Sequence, residues 1–179
     1  MMSSKSSYYR LVLSAMFLAL ALLLPFFTGQ IQQIGNALCP MHIPVLLCGF
    51  FCGPWYAFVV GIVAPILRFV LFGMPPIMPI GISMSFELST YGLVAGLLYK
   101  LFPKKRLSIY AALLCAMIAG RIVWGVARVV LYGFGGAEFG WAAFISGAIL
   151  SSIPGIILQI ALIPPLVMVL NRSRIKSAI

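Results

Sequence analysis

Lys100-Leu101-Phe102-Pro103-Lys104-Lys105-Arg106 puts four basic residues into seven positions between two long apolar runs. One run is Ile77 to Tyr99 and the other is Leu107 to about Leu131. A hydrocarbon core needs about 20 apolar residues per helical span, and short basic loops stay on the cytoplasmic side. This loop therefore sets the orientation of the whole chain. The other basic clusters, Lys5 with Arg10 and Arg172 with Arg174 and Lys176, flank apolar runs at the two tails. Both termini are accordingly expected in the cytoplasm. The net charge of +10 is read as topology and contact with anionic lipid. It does not indicate nucleic-acid binding, because no separable basic domain exists to carry it.

Working back from the loop, the earlier spans are Leu11 to Phe27 and Trp55 to Phe72, with a short apolar run from Ile43 to Cys52 between them. The short run falls below spanning length. A cytoplasmic N-terminus and a cytoplasmic Lys100 loop nevertheless require an even number of crossings before Lys100. The short run must then cross, helped by part of the loop before it. A last span, about Phe144 to Leu170, brings the total to six. Loops 28–42, 72–79 and 132–143 face outside. The composition, 63% apolar and 8% charged, against about 25% charged in soluble domains, leaves no room for a soluble domain. Residues 1–179 are expected to form a single all-α, six-helix domain in the cell membrane, since an open sheet edge has no partner in lipid. Leu11 to Phe27 lacks a small-residue cleavage pattern at its end and reads as a retained span. There is no internal repeat of the kind that builds many secondary carriers.

Missing residue types narrow the function. The chain has no aspartate, only Glu87 and Glu138 as acids, and only His42 as histidine. It has no phosphate-binding G-x-x-x-x-G-K-[ST] loop, no facing carboxylate pair and no nucleophile motif. An enzyme is not expected. Cys39, His42, Cys48 and Cys52 have tolerable zinc spacing, but no polar residues surround them to orient the ligands. They read as buried thiols and one interfacial histidine, with no metal and no cofactor.

Four charges lie within spans: Arg68, Glu87, Arg121 and Arg128. Buried ionisable groups in a bilayer usually mark a site or pathway. At 1.5 Å per residue, Glu87 and Arg121 fall roughly 10–15 Å below the outer helix ends, and Arg68 and Arg128 nearer those ends. Arg121, Trp124 and Arg128 share one face, as do Ser83, Glu87 and Tyr91. Two readings stand. Glu87 and Arg121 simply pair while the other arginines reach outer headgroups, or the group forms an outward-facing pocket for an anionic solute. Three arginines against one glutamate favour the second. In the first span, Ala15-x-x-x-Ala19 permits close approach of another helix, either internal or in a partner.

The set now resembles the substrate-binding S component of an energy-coupling-factor (ECF) vitamin transporter. The likeness covers nearly the whole chain. It rests on length, six spans, Ala15-x-x-x-Ala19, a polar first outer loop, and Pro40-Met41-His42-Ile43-Pro44 leading to Gly53. It continues through Pro65, Arg68, Gly73-Met74-Pro75-Pro76, Glu87-Leu88 and Tyr91-Gly92. Such a likeness implies capture of a vitamin from outside and docking through the first helix onto a membrane coupling (T) subunit driven by two ATPase subunits. It further implies toppling in the membrane to release the ligand inside. Pantothenate-type members are the most similar, and pyridoxine-type members are close. The expected ligand is a small carboxylate-bearing vitamin gripped by Arg68, Arg121 and Arg128, with Glu87 orienting one arginine. Trp124 would cover apolar ligand atoms. Asn36, with Gln30, Gln32 and Gln33, would close over the site, and His42 and Tyr91 complete the candidate set. A non-transport assembly factor and an ion-coupled carrier are the competing classes.

Overall fold

A computed structural model describes residues 4–28, 40–103, 105–134 and 153–176. Six α-helices account for most of them: α1 (Ser4–Leu23), α2 (His42–Phe51), α3 (Pro54–Phe72), α4 (Ile82–Leu101), α5 (Arg106–Phe134) and α6 (Ile153–Lys176). A 3-10 turn, Leu24–Thr28, extends α1, and a π turn, Ile77–Gly81, leads into α4. No strand occurs among the described residues. Among the described residues, five helical stretches are long and apolar enough to cross a membrane.

The order of contacts gives the run of each helix. At one end the Ser7 hydroxyl lies 3.2 Å from the Tyr56 hydroxyl. At the other, Arg68 donates to the Leu22 carbonyl at 2.8 Å, and Phe26 meets the edge of Phe72. Helices α1 and α3 are therefore parallel, and the chain must return between them. Helix α2 runs that way, with His42 level with Glu87 and Gly49 against Gly92 and Gly96. Its 10 residues reach only about 15 Å, half of a ~30 Å hydrocarbon core. All ten are buried, so neighbouring helices rather than lipid surround the short helix. The expected sixth crossing combines α2 with the loop before it, and residues 29–39 of that loop lie outside the described residues. Gly53, at φ 101°, turns the chain from α2 into α3, a conformation that side-chain-bearing residues rarely adopt. Pro54 then opens α3, where its missing N–H costs nothing.

Helix α4 is the hub, packed on α2, α3 and α5. Its contact with α3 is a seam of backbone on backbone. A Cβ added at Gly61 would come within 2.5 Å of the Ser89 nitrogen, and one at Gly92 within 2.7 Å of the Ala57 Cβ. Small residues allow this approach, and in lipid such packing replaces the hydrophobic drive between helices. The buried serines of α4 satisfy themselves locally. Ser83 donates to the Ile80 carbonyl, Ser85 to Gly81 and Ser89 to Phe86. Helix α5 is antiparallel to α4, with Arg121 beside Glu87 and Arg128 beside Ser83. Lys100, Lys105 and Arg106 are exposed at the end where α4 meets α5, called here the basic end.

Candidate functional site

Facing stripes on α4 and α5 build the polar centre of the bundle. On α4, Ser83, Glu87 and Tyr91 recur every four residues and all three are buried. On α5, Arg121 and Arg128 stand two turns apart with Trp124 between them. The registers match. From the basic end outward, Tyr91 packs over Gly120, Glu87 meets Arg121, and Ser83 meets Arg128. Gly120 is what admits the tyrosine ring, since a Cβ there would sit 3.0 Å from two ring carbons.

Glu87, only 2% exposed, is the centre of the inner level. Its Oε1 lies 3.0 Å from Arg121 Nη1 and 3.5 Å from His42 Nε2. The His42 ring in turn meets Tyr91 edge-on at 5.1 Å. His42 opens α2, so the short helix delivers its N-terminal end to the carboxylate, where the partial positive charge of a helix start is favourable. A buried carboxylate would be costly alone. Here a guanidinium and an imidazole meet it, and the inner level is close to neutral when His42 is uncharged.

The outer level is different. Arg128 donates from Nε to the Ser83 hydroxyl at 3.1 Å and from Nη1 to the Tyr132 hydroxyl at 3.3 Å. Its guanidinium lies 5.0 Å from the centroid of the Trp124 ring, against 6.0 Å for Arg121. Both distances suit a cation on an aromatic face. Glu87 is the only carboxylate side chain among the described residues and is engaged with Arg121 and His42. Arg128 thus has no anionic partner among them. Its two hydroxyl contacts hold the fork in place without neutralising it.

Other expected site residues fall elsewhere. Arg68 is not brought to this cluster. Only 5% exposed, it binds the Leu22 carbonyl at the end of α1 and lies 5.3 Å and 5.7 Å from the centroids of Phe26 and Phe72. Lys and Arg side chains commonly satisfy last-turn carbonyls in this way, and here the contact ties α1 to α3. Asn36, Gln30, Gln32 and Gln33 lie outside the described residues. Ala15 and Ala19 are exposed along α1, whereas Ser14, Phe17 and Ala21 are the residues of that helix turned into the bundle. Cys48 and Cys52 are buried, Cys39 lies outside the described residues, and no three potential metal ligands converge among those described. Two groups were missed in the sequence. Tyr132 continues the Arg128 face by one turn. Gln159, a single amide in the apolar stretch of α6, is 2% exposed and its Oε1 has no hydrogen-bond partner among the described residues. A polar side chain inside an apolar span is a signal in itself.

Comparison with curated proteins and with solved structures gives no match. A family model described as "ECF transporter, substrate-specific component" matches residues 9–167. That range runs from within α1 through most of α6, with every charged residue of the polar centre. The chain is a membrane-embedded protein that belongs to the family of substrate-specific components of ECF transporters.

Proposed function

We propose that this protein captures a small, water-soluble vitamin bearing a carboxylate, with pantothenate the leading candidate. It would dock through α1 onto a membrane coupling subunit, and two ATPase subunits would drive uptake. In this reading the basic end and both termini face the cytoplasm, the chain crosses six times, and the Arg128 level faces outside. Arg128 carries the argument. A guanidinium held by Ser83, Tyr132 and Trp124, with the one described carboxylate already used by Arg121 and His42, is an open fork for a ligand carboxylate. Arginine stays charged and offers two parallel donors to such a group. The docking reading draws on Ala15 and Ala19, both exposed on α1.

A second ligand, pyridoxine, draws on the inner level, where a buried carboxylate beside an imidazole suits an uncharged ring bearing a nitrogen and hydroxyls. Equilibrium binding to the purified protein separates the two. Pantothenate is expected to bind, and Arg128→Gln to weaken it roughly 10- to 100-fold, the range of a lost hydrogen bond to a charged group. Tight binding of pyridoxine with none of pantothenate would overturn the ligand and leave the transport subunit standing.

A further inference from the structure

The buried amide of Gln159 is not used by the fold or by the cluster around Glu87. Gln159, Ile163 and Val167 form the buried face of α6, while Leu158, Leu162 and Val169 are exposed. This face packs on α5 and α2, the helices that carry Arg121 and His42. Depth agrees. Measured from the apolar residue next to each basic cluster, Gln159 lies about 17 Å above Leu170, Glu87 about 21 Å above Leu101 and Arg121 about 21 Å above Leu107, at 1.5 Å per residue. A second buried atom, Nδ1 of His42, also lacks a hydrogen-bond partner among the described residues. A buried acceptor left unmade costs free energy, and the unpartnered Gln159 oxygen falls within about one helical turn of the depth of Glu87 and Arg121.

We propose that Gln159, with His42, forms an inner subsite for the hydroxyl- and amide-bearing end of a solute whose carboxylate sits at Arg128. The inference rests on the ligand class proposed above and adds the ligand's orientation. Arg128 stands two turns beyond Arg121, about 10 Å along α5, a span comparable to the extended length of an acyl-β-alanine. The carboxylate lies at the outer level against the Arg128 guanidinium, which no described carboxylate neutralises. The hydroxyls lie at the inner level, where one donates to the Gln159 carbonyl oxygen and another can exchange a hydrogen bond with His42 Nδ1. Apolar atoms between the two ends pass the Trp124 ring. A solute with a carboxylate and no hydroxyls would satisfy only the outer half.

Isothermal titration of the full purified chain tests this with two probes. One is pantothenate. The other is N-(3,3-dimethylbutanoyl)-β-alanine, which keeps the carboxylate and amide and lacks both hydroxyls. Gln159→Met, similar in volume and tolerated in a span, is expected to weaken pantothenate at least tenfold and to change the hydroxyl-free probe by less than threefold. Ligand-free thermal unfolding is the second readout. The methionine variant is expected to match or exceed the unaltered protein, because an unpartnered buried amide is gone. Equal losses for both probes, no loss for either, or a clearly lowered ligand-free melting temperature would each overturn the subsite and leave the proposed function intact. Failure of the unaltered chain to bind pantothenate would overturn both the subsite and the choice of pantothenate as ligand.

Discussion

Glu87→Gln would strand the Arg121 guanidinium in the middle of the bundle and take the carboxylate away from the His42 imidazole. The Glu87 carboxylate lies 3.0 Å from Arg121 and is 2% exposed, with Arg121 at 16%. At an effective dielectric constant of about 20 the attraction at that separation is about 5 kcal/mol, part of which offsets desolvation. Removing one member of a buried pair typically costs about 3–5 kcal/mol, because the other charge is left without its counterion. For a chain of this size each kcal/mol moves the melting temperature by about 2–4 °C. Glu87→Gln is therefore expected to lower it by roughly 10 °C, and Arg121→Met by a similar amount. The double variant strands nothing, so its loss should be smaller than the sum of the single losses by about 2 kcal/mol or more. Thermal unfolding of the ligand-free protein in detergent, followed by tryptophan fluorescence, measures all three. Single losses that add to within about 0.5 kcal/mol would refute the reasoning. Glu87 would then not be neutralising Arg121, and Arg128 would no longer differ from Arg121 in lacking a counterion.

Three further outcomes are expected. Gly61→Ala should force α3 and α4 apart, since its Cβ would approach the Ser89 nitrogen to 2.5 Å, at a cost of about 1–3 kcal/mol; an unchanged melting temperature would show the seam to be loose. Ala15→Trp and Ala19→Trp should leave ligand binding intact and abolish vitamin uptake by the assembled transporter, and wild-type uptake by both would make this face a lipid contact only. Lys104→Cys and Glu138→Cys, each in a cysteine-free background, should label from opposite sides of the membrane, and labelling of both from outside would break the six-span arrangement.

Hydropathy made most of the helices legible, because lipid demands a minimum apolar length. It was less good at ends. Helix α1 begins at Ser4, seven residues before the apolar run at Leu11, since a helix continues past the hydrocarbon wherever its backbone can. The shared face of Arg121, Trp124 and Arg128 could be read from spacing, whereas the Glu87–Arg121 pair stood in the sequence only as one of two readings, from similar depth. Arg68 shows the limit. Sequence gives depth along a helix but not what faces it, and Arg68 at the right depth turns out to bind the end of α1. The role of His42 was obscured for the same reason, because only the packing of α2 on α4 brings it to Glu87. Gln159 was overlooked although a lone amide in an apolar run stands out by composition.

The two sides of α4 answer to different constraints. Leu88, Ser89, Gly92 and Gly96 touch the backbone of α2 or α3, where even a methyl group has no place to go. Ser83, Glu87 and Tyr91 meet polar and aromatic groups instead. A mutation on the first side is a mechanical event that changes the spacing of the helices. A mutation on the second side changes the charge and hydrogen bonding that face α5. One helix thus keeps its scaffolding and its polar chemistry on separate faces, so that under the proposed function the ligand-facing groups could be exchanged without moving the seam.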